Sequence, residues 1–97
     1  MTETTWKPDG PKIQDRLSAD EIASLPETCF AFPRVRKEPM TDAEHVRNAI
    51  ARFDQVKDVT DAERDLAFAN IQKAARHFGI NMTETNWHQL GSRRAQS

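Results

Sequence analysis

At three places in this chain a serine or threonine followed three residues later by glutamate stands ahead of a helix-favouring stretch: Ser18 with Glu21, Thr41 with Glu44, and Thr60 with Glu63. Such a pair forms a capping box, in which each side chain satisfies one orphaned amide at a helix start. Each pair also opens a stretch of helix-favouring residues, so the spacing predicts three helix starts and an all-α domain. Ser18, Thr41 and Thr60 are the expected N-caps. The first helix is short, about 19–25, because Pro26 can neither donate an amide nor let its predecessor stay helical. The second runs over about 42–54, with Val46, Ala49, Ile50 and Phe53 recurring at steps of three and four as one apolar stripe. The third runs over about 61–78, with Ala67, Ile71, Ala74, Ala75 and Phe78 on one face and Gly79 as a left-handed C-terminal cap under Ile80. A connection over 55–59 is short enough to fold helices two and three into a hairpin. Residues 83–90 carry a short helix, with Trp87 and Leu90 packing and Gly91 ending it.

Between the first two helices lies CFAFP. Phe30 and Phe32 sit two apart, so an extended backbone points both the same way and pins this strap onto the helices that follow. The strap is too short for a sheet, and Pro33 and Pro39 bracket a basic connection of Arg34, Arg36 and Lys37. The expected architecture is a small three- to four-helix domain with a central helical hairpin and an extended aromatic strap. Its domain spans 18–90, best defined over 29–80, with flexible ends at 1–17 and 91–97. Residues 1–17 offer only Trp6, Ile13 and Leu17 for burial among Pro8, Gly10 and Pro11, too little to offset the entropy of ordering.

With 97 residues, 37% of them hydrophobic, there is room for one domain but not for a large enclosed cleft. A formal net charge of -1 argues against wrapping nucleic acid by charge alone. The single cysteine, Cys29, excludes an internal disulfide and suits a reducing cytoplasm. No apolar run approaches the ~20 residues of a membrane span, and MTETTWKPDGPK has no signal-peptide core.

The stretches CFAFPRVRKEPMTDAEHVRNAIARFDQV and DAERDLAFANIQKAARHFGI resemble a small bacterial domain of unknown function. That domain occurs free-standing and within longer phage-associated proteins, including head-maturation proteins. The likeness rests on Phe30 to Pro33, then HVRNAIARF over 45–53, then AARHFGI over 74–80, and covers about 25–80. It implies a helical domain and a phage setting, and it supplies no catalytic residues.

Catalytic chemistry finds little purchase. Cys29 precedes Phe30 in an apolar strap with no histidine near in sequence, which is the setting of a small buried cysteine rather than a nucleophile. His45, His77 and His88 with Cys29 would need to reach one zinc from four separate elements, without a Cys-x-x-Cys or a close histidine pair. Asp61, Glu63 and Asp65 fall in the first turns of helix three, where they complement the helix dipole. Three glycines make no phosphate loop. The chain is expected to be no enzyme and to take no cofactor, metal or small-molecule substrate.

Two surface features carry the functional reading. His45, Asn48 and Arg52 line the edge of the helix-two stripe, where Asn48 or Arg52 is expected to tie the strap's carbonyls to the helix. Arg34, Arg36, Lys37 and Arg47, with Lys73, Arg76, Arg93 and Arg94, are candidates for one positive face. Asp54, Asp58, Asp61, Glu63 and Asp65 gather at the hairpin turn, so a near-neutral chain can be bipolar and steer association. The resulting expectation is a protein-interaction module that docks on a larger bacterial or phage protein. The alternative is a nucleic-acid binder using the basic face, against which stand the net charge and the acidic start of helix three.

Overall fold

A computed structural model describes residues 3–8 and 18–90. Ile13, Leu17 and the 91–97 segment with Gly91, Arg93 and Arg94 lie outside the described residues. Among the described residues, the α-helices α1 (Ala19–Ser24), α2 (Ala43–Arg52) and α3 (Asp61–His77) combine with two short strands, β1 (Phe30–Phe32) and β2 (Lys37–Pro39). Single 3-10 turns precede β1 (Glu27–Cys29) and follow α2 (Phe53–Gln55). The fold is therefore α+β, and the all-α expectation is wrong.

The strap is the point of difference. It pairs with the basic connection as an antiparallel two-stranded sheet, in the register Phe30 opposite Pro39 and Phe32 opposite Lys37. Pro33–Arg36 form the loop, closed by the Arg36 amide donating to the Pro33 carbonyl. Four-residue hairpin loops of this kind are built on a turn, here completed by Arg36 in the left-handed region at φ 54°. Lys-Glu-Pro has none of the β-branched or aromatic residues that mark a strand, so tertiary contact decides its conformation. The sheet lies against both long helices, β1 on α3 and β2 on α2.

Two of the three predicted caps form. Ser18 and Thr60 each make a complete capping box, with Glu21 and Glu63 respectively. Thr41 does not cap α2. The helix starts one residue later, where the Asp42 carboxylate accepts the His45 amide at 2.8 Å, and Thr41 is buried instead. A carboxylate oxygen accepts a charge-assisted bond that a hydroxyl cannot match. At the end of α3, Gly79 has φ 73°, and the Ile80 and Gly79 amides donate to the Ala75 and Arg76 carbonyls. Both bonds of the Schellman motif are thus present.

Phe32, Val46, Phe53 and Ile71 are fully buried in one core, with Phe32 and Phe53 in ring contact at 5.4 Å. Ile50 and Phe78 pack at its margin, half-buried. Phe30 is buried elsewhere. It joins Cys29, Leu25 and Ile22 in a small cluster beneath α1, so it anchors the short helix and not the helical hairpin. Residues 3–8, assigned to a flexible arm by composition, are packed: Trp6 is 1% exposed within the main core. After α3 the chain folds back, burying Leu90 and bringing Trp87 against Phe53, and residues 88–90 are helical. Among the described residues no helix is long and apolar enough to cross a membrane.

Candidate functional site

Two of the basic residues are taken up by contacts within the fold. Arg34 closes a bidentate pair with Glu63, Nε to Oε2 at 2.6 Å and Nη2 to Oε1 at 3.0 Å, and also donates to the Asp58 carbonyl. This pair, with the Thr60 amide, holds the Glu63 carboxyl at about 2, well below the usual 4.5. Arg36 donates to the Ile22, Ala23 and Leu25 carbonyls, the bare C-terminal end of α1, and lies 4.6 Å over the Phe30 ring. Both guanidinium groups are engaged in building the fold.

Lys37 and Arg52 are exposed, and both act on the Glu38 carboxyl. Glu38 is half-buried with φ 59°, and burial raises its carboxyl above the ordinary range despite those two cations. Arg47 is exposed on α2, 3.4 Å from Glu44.

The polar edge of α2 differs from expectation too. His45 Nδ1 lies 2.6 Å from Asp42 Oδ1 and 3.4 Å from the Thr41 hydroxyl, inside the helix-start network. Asn48 is exposed and does not tie the strap to the helix. That task falls to Asn70 on α3, whose Nδ2 donates to the Ala31 carbonyl of β1 at 3.0 Å. A carboxamide on the inner face of α3 reaches the sheet, whereas position 48 points outward. The sequence carried a signal for this: position 70 falls three residues from Ala67 and four from Ala74, a polar residue inside the apolar stripe.

Among the described residues no three His, Cys, Asp or Glu side chains are grouped to hold a metal. Cys29 is buried. His77 packs on Trp6 and Phe78, and His88 stacks on Trp87, so the three histidines serve different neighbourhoods.

An open groove of about 900 Å³ lies between α2 and the returning segment after α3. Ile50 and Ala51 of α2 and Ile80, Met82 and Leu90 supply its apolar floor; Arg47, Asn81, Thr83, Glu84 and Gln89 supply its rim. The rim's polar side chains are all at least partly exposed. A small-molecule site buries most of its ligand and aims a few sheltered polar groups at it. This groove is open, with apolar side chains on its floor and its polar groups on an exposed rim.

Residues 12–85 match a family of unknown function (DUF6582). The match takes in α1 through α3 and most of the groove, and the chain belongs to that family. No curated protein and no solved structure matches the chain.

Proposed function

We propose that this member of a family of unknown function is a non-catalytic protein-interaction module, and that its docking surface is the groove between α2 and residues 80–90. One observation carries the reading: an open trough with an apolar floor, Ile50, Ala51, Ile80, Met82 and Leu90, rimmed by both signs of charge in Arg47 and Glu84. The occupant is an amphipathic helical segment of a larger protein, whose apolar side chains seat on the floor and whose flanking charges face the rim. The resemblance over 25–80 favours a partner from a bacterial or phage system. The nucleic-acid alternative draws less support, because Arg34 and Arg36 are engaged internally and Lys37 and Arg52 both act on an acidic group.

Ala51→Arg fills the groove from an exposed position and leaves the core untouched. With the tagged chain as bait in its host, the reading predicts a protein retained at moderate salt by wild type and lost with Ala51→Arg. Lys37→Ala with Arg52→Ala leaves that retention unchanged. Nucleic acid that elutes steeply with salt and is lost with the Lys37 and Arg52 variant would establish the alternative instead.

A further inference from the structure

The segment 3–8 binds the domain as a ligand would. Asn70 is 0% exposed, and its Oδ1 accepts two consecutive backbone amides, Thr5 at 2.8 Å and Trp6 at 3.0 Å. Its Nδ2 donates to the Thr5 hydroxyl at 3.0 Å as well as to Ala31. The Trp6 indole N–H donates to the Met40 carbonyl at 3.1 Å, and the ring meets the edges of His77 and Phe78. The Lys7 amide donates to the Thr28 carbonyl. Backbone, threonine hydroxyl and indole are each met by a separate atom, Oδ1 and Nδ2 of Asn70 and the Met40 carbonyl oxygen.

Two facts set this segment apart from ordinary core. Every group that receives it, Thr28, Met40, Asn70, His77 and Phe78, lies within the family-matched residues 12–85, whereas the segment lies outside them. Its only buried side chain is Trp6; its other described residues are exposed. A segment that buries a single side chain opens at lower cost than the global fold. Opening removes the present partners of the Asn70 oxygen and of one Asn70 N–H, groups that a second segment of the same chemistry can satisfy again.

We propose that this socket is a peptide-binding site for an extended Thr-Trp segment of a partner protein, and that residues 3–8 occupy it in cis as a displaceable latch. The site is independent of the α2 groove. A tethered latch acts at an effective concentration of order millimolar, so the intact chain admits only a partner that binds the socket more tightly or draws the latch away.

The test uses the full chain carrying Trp6→Ala and, as probe, a synthetic peptide with the sequence of residues 2–8. Peptide binding is followed by the rise in melting temperature and by the Asn70 side-chain amide resonances. The expected result is saturable binding to Trp6→Ala that returns the Asn70 resonances to their wild-type positions. The same peptide with alanine for tryptophan has no effect, and the intact chain binds the peptide at least about tenfold more weakly because its own latch competes. Ala51→Arg, placed in the groove, leaves peptide binding unchanged.

A folded Trp6→Ala chain that ignores the peptide overturns the proposal. Equal binding by wild type and variant overturns it as well, since the peptide then sits elsewhere. An unfolded variant that the peptide cannot refold shows that Trp6 is inseparable core, which also overturns it.

Discussion

Asn70 can make four hydrogen bonds and makes four, two as donor and two as acceptor, all from a fully buried position. It links the segment around Thr5 to β1 through α3, so its loss is felt in three places. Asn70→Ala leaves the Ala31 carbonyl without this donor and removes the acceptor of two amides, a change expected to cost about 2–4 kcal/mol. Urea unfolding with an unchanged m-value checks it. Glu38 shows the opposite balance. Its left-handed backbone at φ 59° strains a residue with a Cβ, and burial resists the ionisation of its carboxyl. Glu38→Gly relieves the first and is expected to stabilise the chain by about 1 kcal/mol. Glu38→Gln relieves the second. Because the folded carboxyl titrates above its unfolded value, the penalty is absent below the unfolded range and complete above the folded one. Glu38→Gln is therefore expected to raise the melting temperature at pH 7 and to leave it unchanged near pH 3, within the reach of a calorimetric pair of scans.

Among the elements, α2 and α3 were readable because periodicity, caps and termini agree: the Thr60 box, the Gly79 end and the stripe through Val46 and Phe53 all point one way. The sheet was not readable, because Lys37–Pro39 becomes a strand only by lying on α2 and facing Phe30 and Phe32. Position along the stripe also misjudges depth. Phe53 is buried at 1% exposure, while Ile50 faces the groove half-buried, so the two substitutions separate. Phe53→Ala is expected to cost about 3–5 kcal/mol and Ile50→Ala about 1–2, measured by thermal or urea unfolding. Of the candidate site, Arg47 was legible as an exposed cation. The groove was not, because its floor draws on Ile80, Met82 and Leu90, which meet α2 only after the chain turns back at Gly79. The Trp6 socket was masked by composition: a single tryptophan among polar residues reads as a free end unless its Asn70 partner is known.

At the scale of the whole molecule, the β-hairpin and the start of α3 are joined by one ion pair spanning 29 residues of sequence, Arg34 with Glu63. Glu63 also completes the Thr60 capping box, so one carboxylate serves the tertiary clamp and the helix start together. Holding its pKa at about 2, below the usual 4.5, ties that double role to pH. The sign follows from linkage: the folded carboxyl is the stronger acid, so its stabilisation is complete above the unfolded value and is lost as pH falls through the folded one. Glu63→Gln keeps a side chain of similar size but carries no charge to form the ion pair with the guanidinium. Wild type is therefore expected to exceed Glu63→Gln in stability at pH 6, with the gap closing between about pH 4.5 and 2. The pair is partly exposed, with 62% of the Arg34 side chain accessible, so added salt narrows the gap at pH 6 as screening predicts. Urea titrations of both chains across that window measure it. A gap that persists unchanged at pH 2 would assign the stabilisation to packing around position 63 and not to the charge.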